Sequence, residues 1–501
     1  VLFSSLSYLL FLPIACLAFW LLPHRFRSTL LLAASMYFYM SFLPIYGVLL
    51  AALTVVNYFL GRDIYSNLVA ERKSRAKAAL VVGIIINLAT LSYFKYTDFA
   101  ISSWNSVVAG LGPLAPYLAF HPGSLSFPLQ HIVLPLGISF FVFEFIHYIT
   151  DVYKGSKPIG NFINFSLFAA FFPSQIAGPI KRYQDFIKQL EVPRVFSSTK
   201  FEQGITMILQ GLFKKVALAD NLSPIVTQGF NNATALGGGE AWLAAIAFAI
   251  QIYCDFSGYT DMGRGSAMLM GFDLPDNFNW PYLAKSLTDF WKRWHISLSS
   301  WLRDYLYIPL GGSKCSPSRR HFNLLMTMLL GGLWHGASWH FVVWGAIHGF
   351  GLIVNHSYDG LVNKGQGAVA GALKSFHQTQ VGTVISMLGT FAFVLVGWVF
   401  FRAETMGSAL AVLHGMASPM VTSTVLAETI EKHPIFAALA VYAVYRILVH
   451  NSAAIARAIP MPVSKIMKPM LPARVIIYAS LFVMAIGLAP ATASPFIYFA
   501  F

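Results

Sequence analysis

Charge is scarce in this chain. Of its 501 residues 11% are charged, with 20 acidic against 34 basic side chains, whereas soluble proteins carry about 25%. The shortage excludes an ordinary soluble globular protein. Cysteine is scarce too: Cys16 and Cys254 lie in apolar stretches and Cys315 in a basic loop. No pairing or zinc-ligand spacing joins them, so neither a disulfide nor a structural metal is expected. HExxH, Walker A and dinucleotide fingerprints are absent, which leaves metalloprotease and ordinary nucleotide chemistry without a motif. Internal repeats of the transporter kind and low-complexity segments are also missing. The first 22 residues lack a basic n-region and a small-residue cleavage site. They read as a retained helix rather than a signal peptide.

What the chain has in quantity is apolar and aromatic residues. It is 56% hydrophobic, with 43 Phe, 22 Tyr and 11 Trp, ample for aromatic belts at two membrane interfaces. Apolar runs fall near 2–22, 28–42, 44–60, 78–97, 131–150, 162–179, 204–219, 241–256, 258–272, 322–337, 338–357, 380–401, 434–450 and 474–490. The expected fold is an all-α polytopic membrane protein of roughly 11 to 14 transmembrane or re-entrant helices around an internal tunnel. A single membrane domain spans 1–501. It divides into N-terminal helices (1–160), a core with re-entrant elements and the reactive region (161–357), and C-terminal helices (358–501).

Loop charge sets the topology. His24–Arg27, Arg62–Lys77 and Lys154–Lys157 are basic, and 446–474 carries five basic residues and no acid. By contrast 102–133, 217–260 and 403–431 contain no Lys or Arg. The basic loops are expected in the cytoplasm and both chain ends outside. The formal charge of +14 therefore points to anionic lipid, not nucleic acid.

The run 162–179 has basic loops on both flanks, so it should enter and leave on one side. Pro173, Gly178 and Pro179 break its helix. Such a re-entrant element needs cover from protein or a water-filled cavity. The stretch 272–321 is too polar to span. Within it Leu287, Phe290, Trp291, Trp294 and Leu298 recur at helical spacing, and Asp289 and Arg293 form an i,i+4 pair. This predicts an interfacial or inward-dipping helix.

Four histidines carry the chemical interest: His295, His335, His340 and His348. Ionisable groups in an apolar segment are functional-site hypotheses by default. His335 lies inside the glycine-flanked run Gly332-Leu333-Trp334-His335-Gly336. On a helix through 335–349, His335 would share a face with Trp339, and His340 and His348 with Trp344. Gly332/Gly336 and Gly345/Gly349 are GxxxG pairs that permit close helix approach. The alternatives are interhelical hydrogen bonding and, on weaker ligand grounds, metal binding. Asp255 and Asp261 stand in the apolar segment around Tyr253-Cys254-Asp255-Phe256-Ser257-Gly258-Tyr259-Thr260-Asp261. Asp261 and Arg264 are spaced to pair. Asp255 has no local partner and reads as capping a broken helix or bonding a histidine. Lys292, Arg293, Arg303, Lys314, Arg319 and Arg320 crowd the basic side. They suit lipid headgroups or an anionic donor.

These motifs, with Phe172-Pro173 through Ala177-Gly178-Pro179-Ile180, Asp289-Phe290-Trp291-Lys292-Arg293-Trp294-His295-Ile296-Ser297-Leu298 and Tyr305-Leu306-Tyr307-Ile308-Pro309-Leu310-Gly311-Gly312, carry a resemblance over most of the chain. It resembles the membrane-bound O-acyltransferases, in particular the bacterial branch of alginate O-acetylation. The resemblance implies that His335 matches the family's membrane histidine and His295 its second polar position. Trp291, Trp334, Asp255 and Asp261 are expected as supporting residues, and Lys292, Arg293 and Arg303 as donor contacts. It implies no bound cofactor and no metal, with an acyl thioester such as acetyl-CoA as co-substrate. The donor enters a tunnel from the cytoplasm, and the acyl group passes to the outer face of the bacterial inner membrane. There an SGNH-hydrolase-like partner often completes transfer to a polysaccharide. Candidate partner surfaces are 100–127 and 403–431. Alginate, cellulose and peptidoglycan are all compatible acceptors, and D-alanyl transfer to teichoic acid and a transporter or flippase are the other readings.

Overall fold

Side-chain caps open many of the helices. The oxygens of Ser5, Asn161, Ser197, Ser286, Ser316, Thr379 and Thr405 accept bonds from first-turn amides, which satisfies donors that have no intrahelical partner. Proline supplies the first residue of two helices, at Pro44 and Pro317, where its missing N–H costs nothing. A computed structural model describes residues 3, 5–111, 125–175, 178–365, 367–419, 482–484, 486–490 and 494–497. The expected runs 434–450 and most of 474–490 lie outside these residues, as do parts of both candidate partner surfaces.

The described residues form helices and no strand. The N-terminal group is α1 (Leu6–Leu21), α2 (His24–Met40), α3 (Pro44–Val69), α4 (Lys73–Gly110) and α5 (Ile138–Tyr153). Next come α6 (Phe162–Ala170), α7 (Tyr183–Glu191), α8 (Ser198–Leu212), a π-helical stretch at Phe213–Ala219, α9 (Asp220–Asn231) and α10 (Gly238–Leu269). The short α11 (Leu287–Arg293) and α12 (Ile296–Leu302) precede α13 (Pro317–His335) and α14 (Trp339–Lys364). The series ends with α15 (Ala368–Gln378), α16 (Gln380–Arg402) and α17 (Met406–Ala417). Four of these, α3, α4, α10 and α16, are long and apolar enough to cross a membrane. With the surrounding apolar helices they make an all-α polytopic membrane protein.

Several expected boundaries shift. The runs 241–256 and 258–272 are one helix, α10, because Gly258 continues the helix instead of ending it. Its missing side chain lets the backbone of α8 approach: a Cβ there would stand 2.8 Å from the carbonyl oxygen of Gly211. The run 204–219 continues through the π-helical stretch into α9. In 162–179 the nine-residue α6 reaches about 14 Å at 1.5 Å per residue, short of the roughly 30 Å needed to span. Phe171–Gln175 then turns, fully buried, with the Phe172 amide donating to the Ser35 hydroxyl at 3.1 Å. Protein covers this irregular backbone, as the membrane interior demands.

Two ionic expectations are corrected. Asp261 does not pair with Arg264. Its carboxylate takes the Lys214 ammonium at 2.5 Å, and Arg264 pairs with Asp276. Asp255 neither caps a broken helix nor bonds a histidine. It sits within α10, 2.9 Å from the Lys215 ammonium, and accepts the amide of Ile497 at 2.7 Å. Both lysines belong to the π-helical stretch, whose wider turn places consecutive lysines against α10.

Candidate active site

His335 is the last residue of α13, and the chain breaks immediately after it. Gly336 is extended at φ −160°, and Ser338 caps α14 in the same region of conformational space. The expected shared face of His335 and Trp339 is therefore corrected: the two residues belong to different helices. Gly332 and Gly345 let α13 and α14 pack closely, since a Cβ on Gly332 would collide with the Phe341 carbonyl and lie 3.1 Å from the Gly345 Cα. This is small-residue packing of the kind that holds helices in lipid. Gly336 lies in the break instead, against the ring of Phe341.

His295 also stands at a break. The amphipathic helix expected over 287–298 is split into α11 and α12, and His295 between them takes a left-handed conformation at φ 42°. For a residue with a Cβ that costs roughly 1–2 kcal/mol. The segment around Asn277 supports the strain. Its carbonyl accepts the Ile296 amide at 3.0 Å, and its side-chain oxygen accepts the Ser297 hydroxyl at 2.7 Å. Strain of this kind collects at functional sites when the surroundings over-determine it.

The two breaks bring the imidazoles together. The His295 and His335 ring centroids are 6.4 Å apart with planes at 61°. His295 is fully buried and His335 is 4% exposed. Trp334 stands against both, at 6.1 and 5.0 Å, and Phe256, Trp344 and Phe401 complete the aromatic wall. Neither ring nitrogen of His295 has a hydrogen-bond partner among the described residues. An unpaired buried polar group costs about 1–3 kcal/mol, so a ligand that bonds it recovers that cost. His348 packs one layer away, between Trp291 at 5.2 Å and Trp344 at 4.9 Å. His340 bonds the Ser338 hydroxyl at 2.9 Å.

Cavities approach the pair from two sides. One of about 560 Å³ is lined by Lys95, Asp98, Phe140, Trp334, His335 and Ala337. It lies toward the 102–133 loop, which has no Lys or Arg. A second, of about 530 Å³ with Gln251, Ser338, His340 and Arg402 in its wall, meets the first at Ala337. On the basic side a cavity of about 430 Å³ is lined by Trp291, Lys292, Ile296, Ser300, Arg303 and Tyr307. Its wall includes Ile296, the residue after His295, and not His295 itself.

The expected donor contacts separate here. Lys292 and Arg303 are exposed in that cavity. Arg293 is committed elsewhere: its Nε donates to Asp289 at 2.7 Å and its Nη1 to the Asn279 carbonyl at 3.3 Å. The hydrogen bond from Arg303 to Asp304 raises the guanidinium above its ordinary range, which keeps it cationic. Burial raises the neighbouring Tyr305 phenol as well, so it remains a donor to Asp151 at 2.7 Å. Asp255 and Asp261 fasten α10 to the π-helical stretch and do not reach either imidazole. Among the described residues no three His, Cys, Asp or Glu side chains gather as a metal cage.

Sequence reasoning missed Lys95 and Tyr96 of α4. The Lys95 ammonium donates to the carbonyls of Trp334 and His335, at 2.5 and 3.2 Å. The Tyr96 hydroxyl donates to that of Leu333 at 2.9 Å. The available signal was a lysine set among Tyr93, Phe94 and Tyr96 at the end of an apolar run.

Comparison with known proteins agrees with this architecture. The profile of the membrane-bound O-acyltransferase family matches residues 150–393, which holds both histidines and the breaks that position them. A probable alginate O-acetylase AlgI of Azotobacter vinelandii is 41% identical over 418 residues, covering 83% of this chain and 78% of that protein. A peptidoglycan O-acetyltransferase of Helicobacter pylori is 34% identical over 438 residues, covering 81% and 77%. A teichoic acid D-alanyltransferase of Bacillus subtilis is 27% identical over 338 residues, covering 62% and 81%. The chain belongs to the membrane-bound O-acyltransferase family and is an O-acyltransferase.

Proposed function

We propose that this enzyme takes an acetyl group from acetyl-CoA on the cytoplasmic side of the bacterial inner membrane and passes it to the outer side. There it serves O-acetylation of a polysaccharide such as alginate. The observation that carries the reading is the buried His295–His335 pair, with His335 in the wall of an outer cavity and a basic-side cavity lined by Ile296, the residue after His295. In this orientation the basic loops face the cytoplasm and both ends of the sequence lie outside. Lys292 and Arg303 meet the anionic part of the donor, as exposed cations at a cavity mouth would. The acceptor hydroxyl approaches through the cavity that His335 lines.

A thioester is already activated, so the protein's tasks are alignment, exclusion of water and removal of one proton. Alignment alone can supply several kcal/mol. The acceptor oxygen attacks the thioester carbonyl carbon, and His335 takes the hydroxyl proton as general base. The carbon–sulfur bond breaks, and the leaving thiolate receives that proton. The products are the acetyl ester and free thiol. His295 polarises the thioester carbonyl or orients the donor, a role that suits a buried imidazole without another partner.

The acceptor is either the polymer or a hydroxyl of an extracytoplasmic SGNH-hydrolase-like partner that completes the transfer. The similarity to alginate O-acetylases favours alginate, and that to a peptidoglycan O-acetyltransferase keeps peptidoglycan as the second acceptor class. The test uses purified protein in vesicles with labelled acetyl-CoA inside and acceptor outside, scored by free thiol and by label on the acceptor. Wild type is expected to yield both and His335→Ala neither. Acceptor transport without thiol release, or full activity in His335→Ala, would overturn the proposal.

A further inference from the structure

The C-terminal end of α13 is held from outside by two consecutive residues of α4. A helix leaves its last four carbonyls without intrahelical donors. At α13 three of those carbonyls, on Leu333, Trp334 and His335, receive side-chain donors from Tyr96 and Lys95. Adjacent residues on a helix point about 100° apart, so one turn of α4 embraces the end of α13. The arrangement is also electrostatically matched, because a cation at a helix C-terminus offsets the partial negative charge there. The next residue is Gly336, and the backbone turns extended at once.

We propose that Lys95, assisted by Tyr96, is the positioning residue for His335 in the reaction described above, on which this inference rests. The last turn of α13 carries the imidazole, and the glycine after it offers no side chain to resist fraying. Without the clamp, the part-buried carbonyls of Trp334 and His335 lose the Lys95 ammonium and the turn relaxes toward the adjoining cavity, which Lys95 itself lines. A displacement of about 1 Å at a base can cost roughly 10²-fold in rate. Lys95 acts through the backbone of His335 and not on the thioester. Its loss should therefore appear in kcat and leave donor binding on the basic side untouched.

The experiment measures kcat and the thioester KM in wild type, Lys95→Met, Lys95→Arg and Tyr96→Phe, with thiol release in the presence of acceptor as readout. The expected result is a kcat roughly 10²-fold lower in Lys95→Met with KM within about twofold. Arginine can donate to the same two carbonyls, and the cavity gives it room, so Lys95→Arg should restore at least about a tenth of wild-type kcat. A Lys95→Met enzyme with wild-type kcat, or with a loss confined to KM, would overturn the inference. So would an arginine variant no better than methionine. If Lys95→Met is not monodisperse in detergent, Tyr96→Phe decides. A kcat reduced at unchanged KM supports the clamp, and an unchanged kcat overturns it. Absence of thiol release from wild type would defeat the acyl-transfer reading itself. An active wild type beside an equally active Lys95→Met defeats the clamp alone.

Discussion

His295 and His335 stand on separate helix breaks, and their rings approach to a centroid distance of 6.4 Å across the face of Trp334. The separation is too long for direct ring–ring hydrogen bonding and short enough for one small acyl group to touch both. At an inclination of 61° the two rings do not stack.

Shared work on one reacting group predicts non-additive losses. His335→Ala should lower kcat by about 10²–10⁴-fold, the usual range for a general base. His295→Ala should lower it by a smaller factor. The double variant should fall little below His335→Ala alone, as happens when residues act as a unit. Thiol-release kinetics on the four proteins checks this. Losses that multiply would mean that the histidines act in separate steps.

The three basic residues grouped by sequence should behave differently. Lys292→Ala and Arg303→Ala should each raise the thioester KM by roughly 3–10-fold with kcat kept, and the difference should shrink as ionic strength rises. Arg293 is held by Asp289 and the Asn279 carbonyl, so Arg293→Ala should show no comparable salt-sensitive KM change. KM measured at about 50 and 500 mM salt separates them. Equal salt-dependent shifts in all three would refute the division.

What could be read from sequence was what depends on neighbours along the chain. Loop charge and the Asp289–Arg293 pair involve residues a few positions apart, and each was visible. The partners of Asp255 and Asp261 were not, because Lys215 and Lys214 come from another helix and outcompete the nearby Arg264. Helical periodicity carried the reading through 287–298 and 335–349. The chain interrupts both, at His295 by a left-handed residue and at Gly336 by an extended one. Those interruptions bring the two imidazoles within 6.4 Å of each other, so the site was legible as residue types and illegible as geometry. Lys95 was hidden because its partners are backbone carbonyls, which any sequence offers.

Gly331 and Gly332 make an internal control for the packing that carries His335. Both lie in α13, where alanine gains about 1 kcal/mol in helix propensity. A Cβ on Gly332 would collide with the Phe341 carbonyl and press on Gly345, both backbone. On Gly331 it would meet only the movable Leu302 Cδ1, at 3.2 Å. Gly332→Ala should therefore destabilise by about 1–3 kcal/mol net and lower kcat roughly tenfold through displacement of His335. Gly331→Ala should be nearly neutral. Thermal midpoints in detergent with parallel kinetics test the pair, and similar behaviour of the two would show that α13 and α14 are free to separate.

The buried cluster around Lys215 should govern stability instead of rate. Its ammonium is 2.8 Å from Asp220 and 2.9 Å from Asp255, at 2–3% side-chain exposure, and it donates to the Ser494 carbonyl at 3.0 Å. Lys215→Met leaves two buried carboxylates facing each other without a cation. Removing one partner of such a cluster typically costs about 3–5 kcal/mol, whereas replacing the whole set with apolar groups is often neutral. Lys215→Met should accordingly lower the thermal midpoint sharply. Adding Asp220→Leu and Asp255→Leu should recover more than half of the loss, short of all of it because the Ile497 amide loses its acceptor. A triple variant as unstable as the single one would show that the cluster's attraction, and not the stranded carboxylates, sets the stability. In either case kcat per folded molecule should stay near wild type, since no member of the cluster borders the imidazoles.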